Sequence, residues 1–163
     1  MAQSPRICRY LHIPAQSGSN RLLRAMNRGY SVEEYVELLD RARARMPDIR
    51  LAGDMIAGFP SETDEDHQAS IDLLRRARYK SAFIFKYSPR PNTVAERRLE
   101  DDVPEEVKKA RNRELLDVQA EMSLQHHQAF VGQEIEVLVE SQSRFRRHTR
   151  QGRADRLATP RIT

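Results

Sequence analysis

Short apolar runs alternate with amphipathic segments along most of the chain. Ile7 to Ile13 reads as a strand running into a polar loop, Pro14-Ala15-Gln16-Ser17-Gly18-Ser19. Asn20 to Asn27 follows as a short helix with Leu22, Leu23 and Met26 inward, and Gly29 ends it. A second helix opens at Ser31, which has capping-box spacing to Glu34. Its apolar positions Tyr35, Val36, Leu39, Ala42 and Met46 recur at helical intervals until Pro47 stops the run. Ile49 to Gly58 is a second strand, and its apolar stretch Met55-Ile56-Ala57 predicts burial on both faces. Thr63 then caps a third helix. Acids at 62, 64, 65 and 66 suit the positive end of its dipole, and Ile71, Leu74 and Ala77 mark its inner face. Ser81 to Tyr87 is a third strand leading into the loop Ser88-Pro89-Arg90-Pro91-Asn92-Thr93. From Pro104 to Val131 the pattern predicts one long helix of roughly 40 Å. Leu115, Val118, Met122 and Ala129 form its stripe, and Gly132 is its C-cap. Beyond it, Ile135, Val137 and Val139 alternate as a strand of a separate unit.

This order implies an α/β fold: three βα units on a parallel sheet, part of an open sheet or barrel, followed by a long helix. Residues 1–131 make one domain, 132–143 begin another, and 144–163 form a basic tail without readable periodicity.

Charge changes that picture only at the end of the chain. Residues 144–163 hold seven arginines against Asp155, a net +6, so the rest of the chain carries −2 of the total +4. The tail could contact phosphates or simply be solvated and disordered. Cys8 is the single cysteine, which excludes an internal disulfide framework and a Cys-rich metal site. It is expected to be a small buried hydrophobe. His126-His127 has no third ligand near it in sequence, and no metal site is expected. No apolar run approaches the ~20 residues of a membrane span, and the start lacks a secretory leader pattern. A cytoplasmic protein without membrane contact is expected.

In α/β folds, ligands gather at the carboxyl ends of the strands. Three loops hold that position: residues 14–19, Gly58-Phe59-Pro60-Ser61-Glu62, and residues 88–93. Turn chemistry alone would also account for each. Asp54, next to Gly53, could bond a loop or a ligand.

These loops carry a resemblance. YLHIPAQSGSNRLLRAMNRGYSVEEY, DMIAGFPSETDED, FKYSPRPNT and DVPEEVKKARNRELLDVQAEMS occur in collinear order and resemble the radical-SAM methylthiotransferases over about residues 8–140. The resemblance implies the last three units of a six-unit partial TIM barrel that encloses S-adenosylmethionine. It implies two 4Fe–4S clusters, each on three cysteines that this chain does not supply. Gln16-Ser17-Gly18-Ser19 and the 88–91 loop look like the branch that methylthiolates carbon 2 of N(6)-isopentenyladenosine at position 37 of tRNA. Threonylcarbamoyladenosine tRNA or a ribosomal protein remain alternative substrates, and a non-catalytic RNA-binding fragment is a third reading. By resemblance, Gln16, Ser17, Ile56, Gly58, Tyr87 and Ser88 would meet S-adenosylmethionine; Gln16 and Ser17 could instead satisfy loop backbone, and Tyr87 could be a packed aromatic. Arg24, Arg28 and Arg90 could guide RNA phosphates. No catalytic residue is expected within the chain, and the family is expected to be monomeric.

Two departures from the family pattern stand out. His67 replaces a usual Phe at some cost in apolar burial. Asn92 replaces a usual Gly, and Asn tolerates the left-handed conformation. The strand at 134–140 resembles the start of an RNA-binding TRAM barrel, but the expected continuation is missing after Ser143. Without its cysteines, the isolated chain is expected to be inactive.

Overall fold

The computed structural model describes residue 4 and residues 6–134. The chain divides into two units, Met1–Gln128 and Ala129–Thr163. In the first, β1 (Tyr10–His12), β2 (Arg50–Ala57) and β3 (Ser81–Lys86) form a parallel sheet in the order β1-β2-β3. Between β1 and β2 run α1 (Asn20–Ala25) and α2 (Val32–Arg45), and α3 (Asp64–Ala77) joins β2 to β3. A short α4 (Val94–Arg98) and the long α5 (Glu105–Gln128) follow. The expected βα order and the three parallel strands are present.

The helices start where their capping residues place them. The Ser31 and Thr63 side chains each accept from the backbone N–H three residues on, and Glu34 and Asp66 return the bond. Such a cap typically contributes about 1 kcal/mol. Ser19 and Thr93 cap α1 and α4 similarly. The left-handed turn after α1 falls on Asn27 (φ 56°), two residues before the expected Gly29. Asn92 does adopt the left-handed conformation (φ 68°).

One face of the sheet packs against α3 and α5, with Leu51, Met55 and Ala57 from β2 meeting Tyr35, Leu39, Ile71, Leu74, Leu115 and Val118. The alternation of a strand sends Asp54 and Ile56 to the other face, beside Phe83 and Phe85 in register on β3. No described helix covers that face. Phe83 and Phe85 are therefore 56% and 54% exposed, and Ile56 is only half-buried, not enclosed on both faces as its sequence suggested.

Three further expectations are corrected. Cys8 is exposed, because pairing with β2 begins only at Tyr10. The last helix stops at Gln128, and residues 129–132 are in turn conformation, with Gly132 at φ 82°. Its inner face is half polar: Lys108, Arg111 and Gln119 are buried beside Leu115, Val118 and Met122. Their nitrogens find partners, as buried polar groups generally do, while Oε1 of Gln119 has none among the described residues. Lys108 reaches Asp101, Arg111 reaches Glu62 and Asp64, and Gln119 donates to the Tyr79 carbonyl. His67 is buried; its Nε2 lies 2.8 Å from Glu114 while Nδ1 has no partner among the described residues. The strand expected at 134–140 and the tail at 144–163 lie outside the described residues, Glu134 apart.

Candidate functional site

A cavity of about 590 Å³ opens where the three strands end. The backbone beneath it is tied across the sheet. Gln16, in a left-handed conformation (φ 72°), donates its N–H to the Asp54 carbonyl at 2.8 Å and accepts from the Ile56 N–H at 2.9 Å. The loop leaving β1 is thus held to β2 past the end of regular pairing. Tyr87 N–H donates to the Ala57 carbonyl at 2.8 Å and does the same on the β3 side.

The lining is mixed. Ile56, Phe85, Tyr87 and Ala95 supply apolar surface; Gln16, Asp54, Ser88 and Thr93 supply polar groups; Arg28, Lys86 and Arg90 supply cations. Lys86 is paired with Glu105, whereas Arg28 and Arg90 form no ion pair among the described residues. Mixed walls with a few convergent polar groups characterise small-molecule sites.

The structure brings together six of the residues singled out from sequence: Gln16, Ile56, Tyr87, Ser88, Arg28 and Arg90 all line the cavity. Three others lie apart. Ser17 is fully buried, accepts from the Ser19 N–H at 3.1 Å and sits 3.5 Å from the Ser70 hydroxyl. It fixes the loop against α3. Gly58 is held behind the cavity. Its N–H donates to Glu62 at 2.8 Å, and a Cβ there would come within 2.3 Å of Lys108 Cγ. Arg24 is exposed on α1, away from the lining.

Tyr87 owes its position to two contacts: the edge of Phe59 at 5.1 Å and the Lys108 ammonium 5.4 Å above its ring. Burial, then Asp101 and Glu96, push its phenol up, so it stays neutral. Burial likewise pushes the Glu62 carboxyl up, against the pull of the Gly58 N–H and Arg111.

Sequence reasoning missed Phe85, Lys86, Thr93 and Ala95, and left Asp54 open. The period-2 alternation of Asp54-Ile56 and Phe83-Phe85 was the available signal for the shared face. The Thr93-to-Glu96 spacing was the signal for α4.

The adenosine part of a nucleoside cofactor fits this lining, with apolar side chains for a base and a carboxylate and amide for ribose hydroxyls. An iron–sulfur cluster does not. The chain has one cysteine, and the described residues contain no group of three His, Cys, Asp or Glu side chains able to hold a metal. No described helix is long and apolar enough to cross a membrane.

Comparison with known proteins shows what the chain resembles. Residues 1–74 match the radical SAM superfamily model. The tRNA-2-methylthio-N(6)-dimethylallyladenosine synthase of Chlorobium limicola is 49% identical over 144 residues, 88% of this chain and 33% of that protein. The synthases of Flavobacterium johnsoniae and Christiangramia forsetii are 46% and 44% identical over 88% and 96% of the chain, and 30% and 32% of their own lengths. The chain thus spans about a third of the length of these relatives. Among solved structures, coproporphyrinogen III oxidase from Escherichia coli, described as a radical SAM enzyme, aligns with a TM-score of 0.51 at 23% identity. That alignment covers 76% of this chain and 26% of the oxidase, and shows a shared fold.

Proposed function

We propose that this chain, whose residues 1–74 match the radical SAM superfamily model and which is 49% identical to a relative over 144 residues, forms the nucleoside-binding wall of a tRNA methylthiotransferase acting on N(6)-dimethylallyladenosine. The observation that carries this reading is the position of Gln16, Asp54, Ile56, Tyr87 and Ser88 around one cavity at the strand ends. The names of the relatives support the substrate.

In this reading S-adenosylmethionine, with two 4Fe–4S clusters held by cysteines that this chain does not supply, provides the radical and methyl chemistry. This chain's own residues do the binding. Ile56 lies under the base, and the 87–88 backbone presents polar groups to its edge. Asp54 accepts from ribose hydroxyls, as acidic residues beside bound nucleosides commonly do. Gln16 adds an amide at the same end. Arg28 and Arg90, both without an acidic partner among the described residues, attract the phosphates of an RNA strand entering the cavity. Ser17 and Gly58 shape the loops that carry these groups. The protein would act in the cytoplasm, where its tRNA substrate resides, as a monomer.

A segment exchange tests the proposal. Residues 8–134 replace the matching segment of the Chlorobium limicola synthase, and tRNA nucleosides from cells relying on the chimera are analysed by mass spectrometry. Methylthiolated dimethylallyladenosine is expected. Its absence from a chimera that accumulates as folded protein would overturn the proposal. The variant Asp54→Ala should lower the yield several-fold, and Arg24→Ala should leave it unchanged.

A further inference from the structure

The open face of the sheet carries a polar pair that the cavity lining includes only in part. His12 Nε2 lies 2.7 Å from Asp54 Oδ1, bridging β1 and β2. An ionised carboxylate can only accept, so Nε2 carries the proton of this bond. The imidazole is itself held on its other side by the Phe83 ring, with centroids 5.8 Å apart. Tyr10, two residues earlier on β1, reaches the Ser81 hydroxyl at 3.3 Å and spans the same face. Asp54 is therefore secured twice from the β1 side: its carbonyl by the Gln16 N–H, and its carboxylate by His12. Among the described residues, Oδ2 of Asp54 has no hydrogen-bond partner, and Asp54 lines the cavity while His12 does not.

We infer that His12 is a positioning residue: by occupying Oδ1 it fixes the rotation of the Asp54 carboxylate and presents the free oxygen to a vicinal diol in the cavity. This rests on the proposed nucleoside reading of the cavity. A carboxylate that turns freely about χ2 is spread over a broad, roughly two-fold well, and a ligand then has to order it on binding. Hydrogen bonds to a charged acceptor are among the stronger ones, so losing their alignment costs roughly tenfold in affinity. The bland alternative is an ion pair that only joins two strands. It would affect folding and leave diol recognition alone.

The two are separated by calorimetric titration of the full chain with 5′-methylthioadenosine and with its 2′,3′-dideoxy counterpart. The unaltered chain should prefer the diol ligand. In His12→Ala that preference should fall roughly tenfold, while the dideoxy ligand binds as before. His12→Gln, which keeps an N–H donor, should restore most of it. Adding His12→Ala to Asp54→Ala should change nothing further. His12→Phe removes the donor but keeps a ring against Phe83, and it serves if the alanine variant fails to fold. A donor-free variant that is folded and keeps its diol preference overturns the inference alone, as does one weakened equally for both ligands. An unaltered chain that binds neither ligand overturns the cavity reading, and this inference with it.

Discussion

Gly53 lies directly against the ring of Tyr79: a Cβ at that position would stand 2.7 Å from Tyr79 Cζ. The ring has no room to withdraw, because Tyr79 is fully buried and its hydroxyl meets that of Tyr35 at 2.5 Å. Alanine normally gains about 0.5–1 kcal/mol over glycine within a strand. Here the clash dominates, since overpacking a dense core costs about 1–3 kcal/mol. Gly53→Ala should lower the free energy of urea unfolding, and Tyr79→Phe, which keeps the ring, should not relieve it.

The same tyrosine pair predicts alkaline sensitivity. Burial pushes the Tyr35 phenol up to about 12, although its bond to Tyr79 opposes the shift, and burial pushes Tyr79 up as well. Both are neutral in the fold and ionise more readily when unfolded. Their contribution is complete below the ordinary value of 10.0 and is lost as pH rises from there through about 12. The melting temperature followed by circular dichroism should fall across that window. Tyr35→Phe should flatten the fall.

Acid should act through Asp66. Desolvation pushes its carboxyl up, but hydrogen bonds from Arg21, Ser19 and Thr63 outweigh that and hold it at about 2. The bonds are made by Ser19 Oγ at 2.5 Å, Thr63 N–H at 3.0 Å and the Arg21 guanidinium. A depressed value means the stabilisation is present above 3.8 and is lost as pH falls toward 2. Discounted for the exposed Arg21 side, it is worth about 1–2 kcal/mol. Asp66→Asn should remove most of the acid dependence over that range and lower stability at neutral pH.

His67→Phe should stabilise the chain. The orphaned Nδ1 costs about 1–3 kcal/mol. A bond from Nε2 to a carboxylate would return about 1.5–3 kcal/mol if buried, but the Glu114 side chain is 57% exposed and rehydrates when the bond is lost, which cuts the return to about 0–1 kcal/mol. A net gain of about 1 kcal/mol is expected in urea unfolding. A loss would mean that the imidazole packs better than a phenyl ring in this site.

Anaerobic reconstitution of the isolated chain with iron and sulfide should yield no cluster absorption band. Cys8 is its single thiol, and such clusters ordinarily draw on several thiolates.

The helices were legible because their starts are written locally: Ser31 with Glu34 and Thr63 with Asp66 sit three residues apart and make both bonds of the box. The loops 14–19 and 88–93 were legible for the same reason, through Gly, Pro and polar clusters at strand ends, whereas the 58–62 loop, read in the same way, supplies no lining residue. What could not be read depends on partners distant in sequence. Lys108 and Arg111 resemble surface charges until Asp101, Glu62 and Asp64 come to meet them. Asp54 is one acid in a strand until His12, 42 residues earlier, reaches it. Gly58 and Ser17 carry the right residue types at the right loops, yet packing against Lys108 and Ser70 turns both away from the cavity.

Gln16 is tied to β2 by two bonds of its own backbone, from its N–H to Asp54 and to its carbonyl from Ile56, and neither uses the side chain it bears. A residue anchored in this way is a socket. At φ 72°, glycine and asparagine are the residues whose exchange for Gln16 should leave the loop in place. Over evolutionary time such a position lets a lineage retune which ligand it admits while inheriting its fold unchanged.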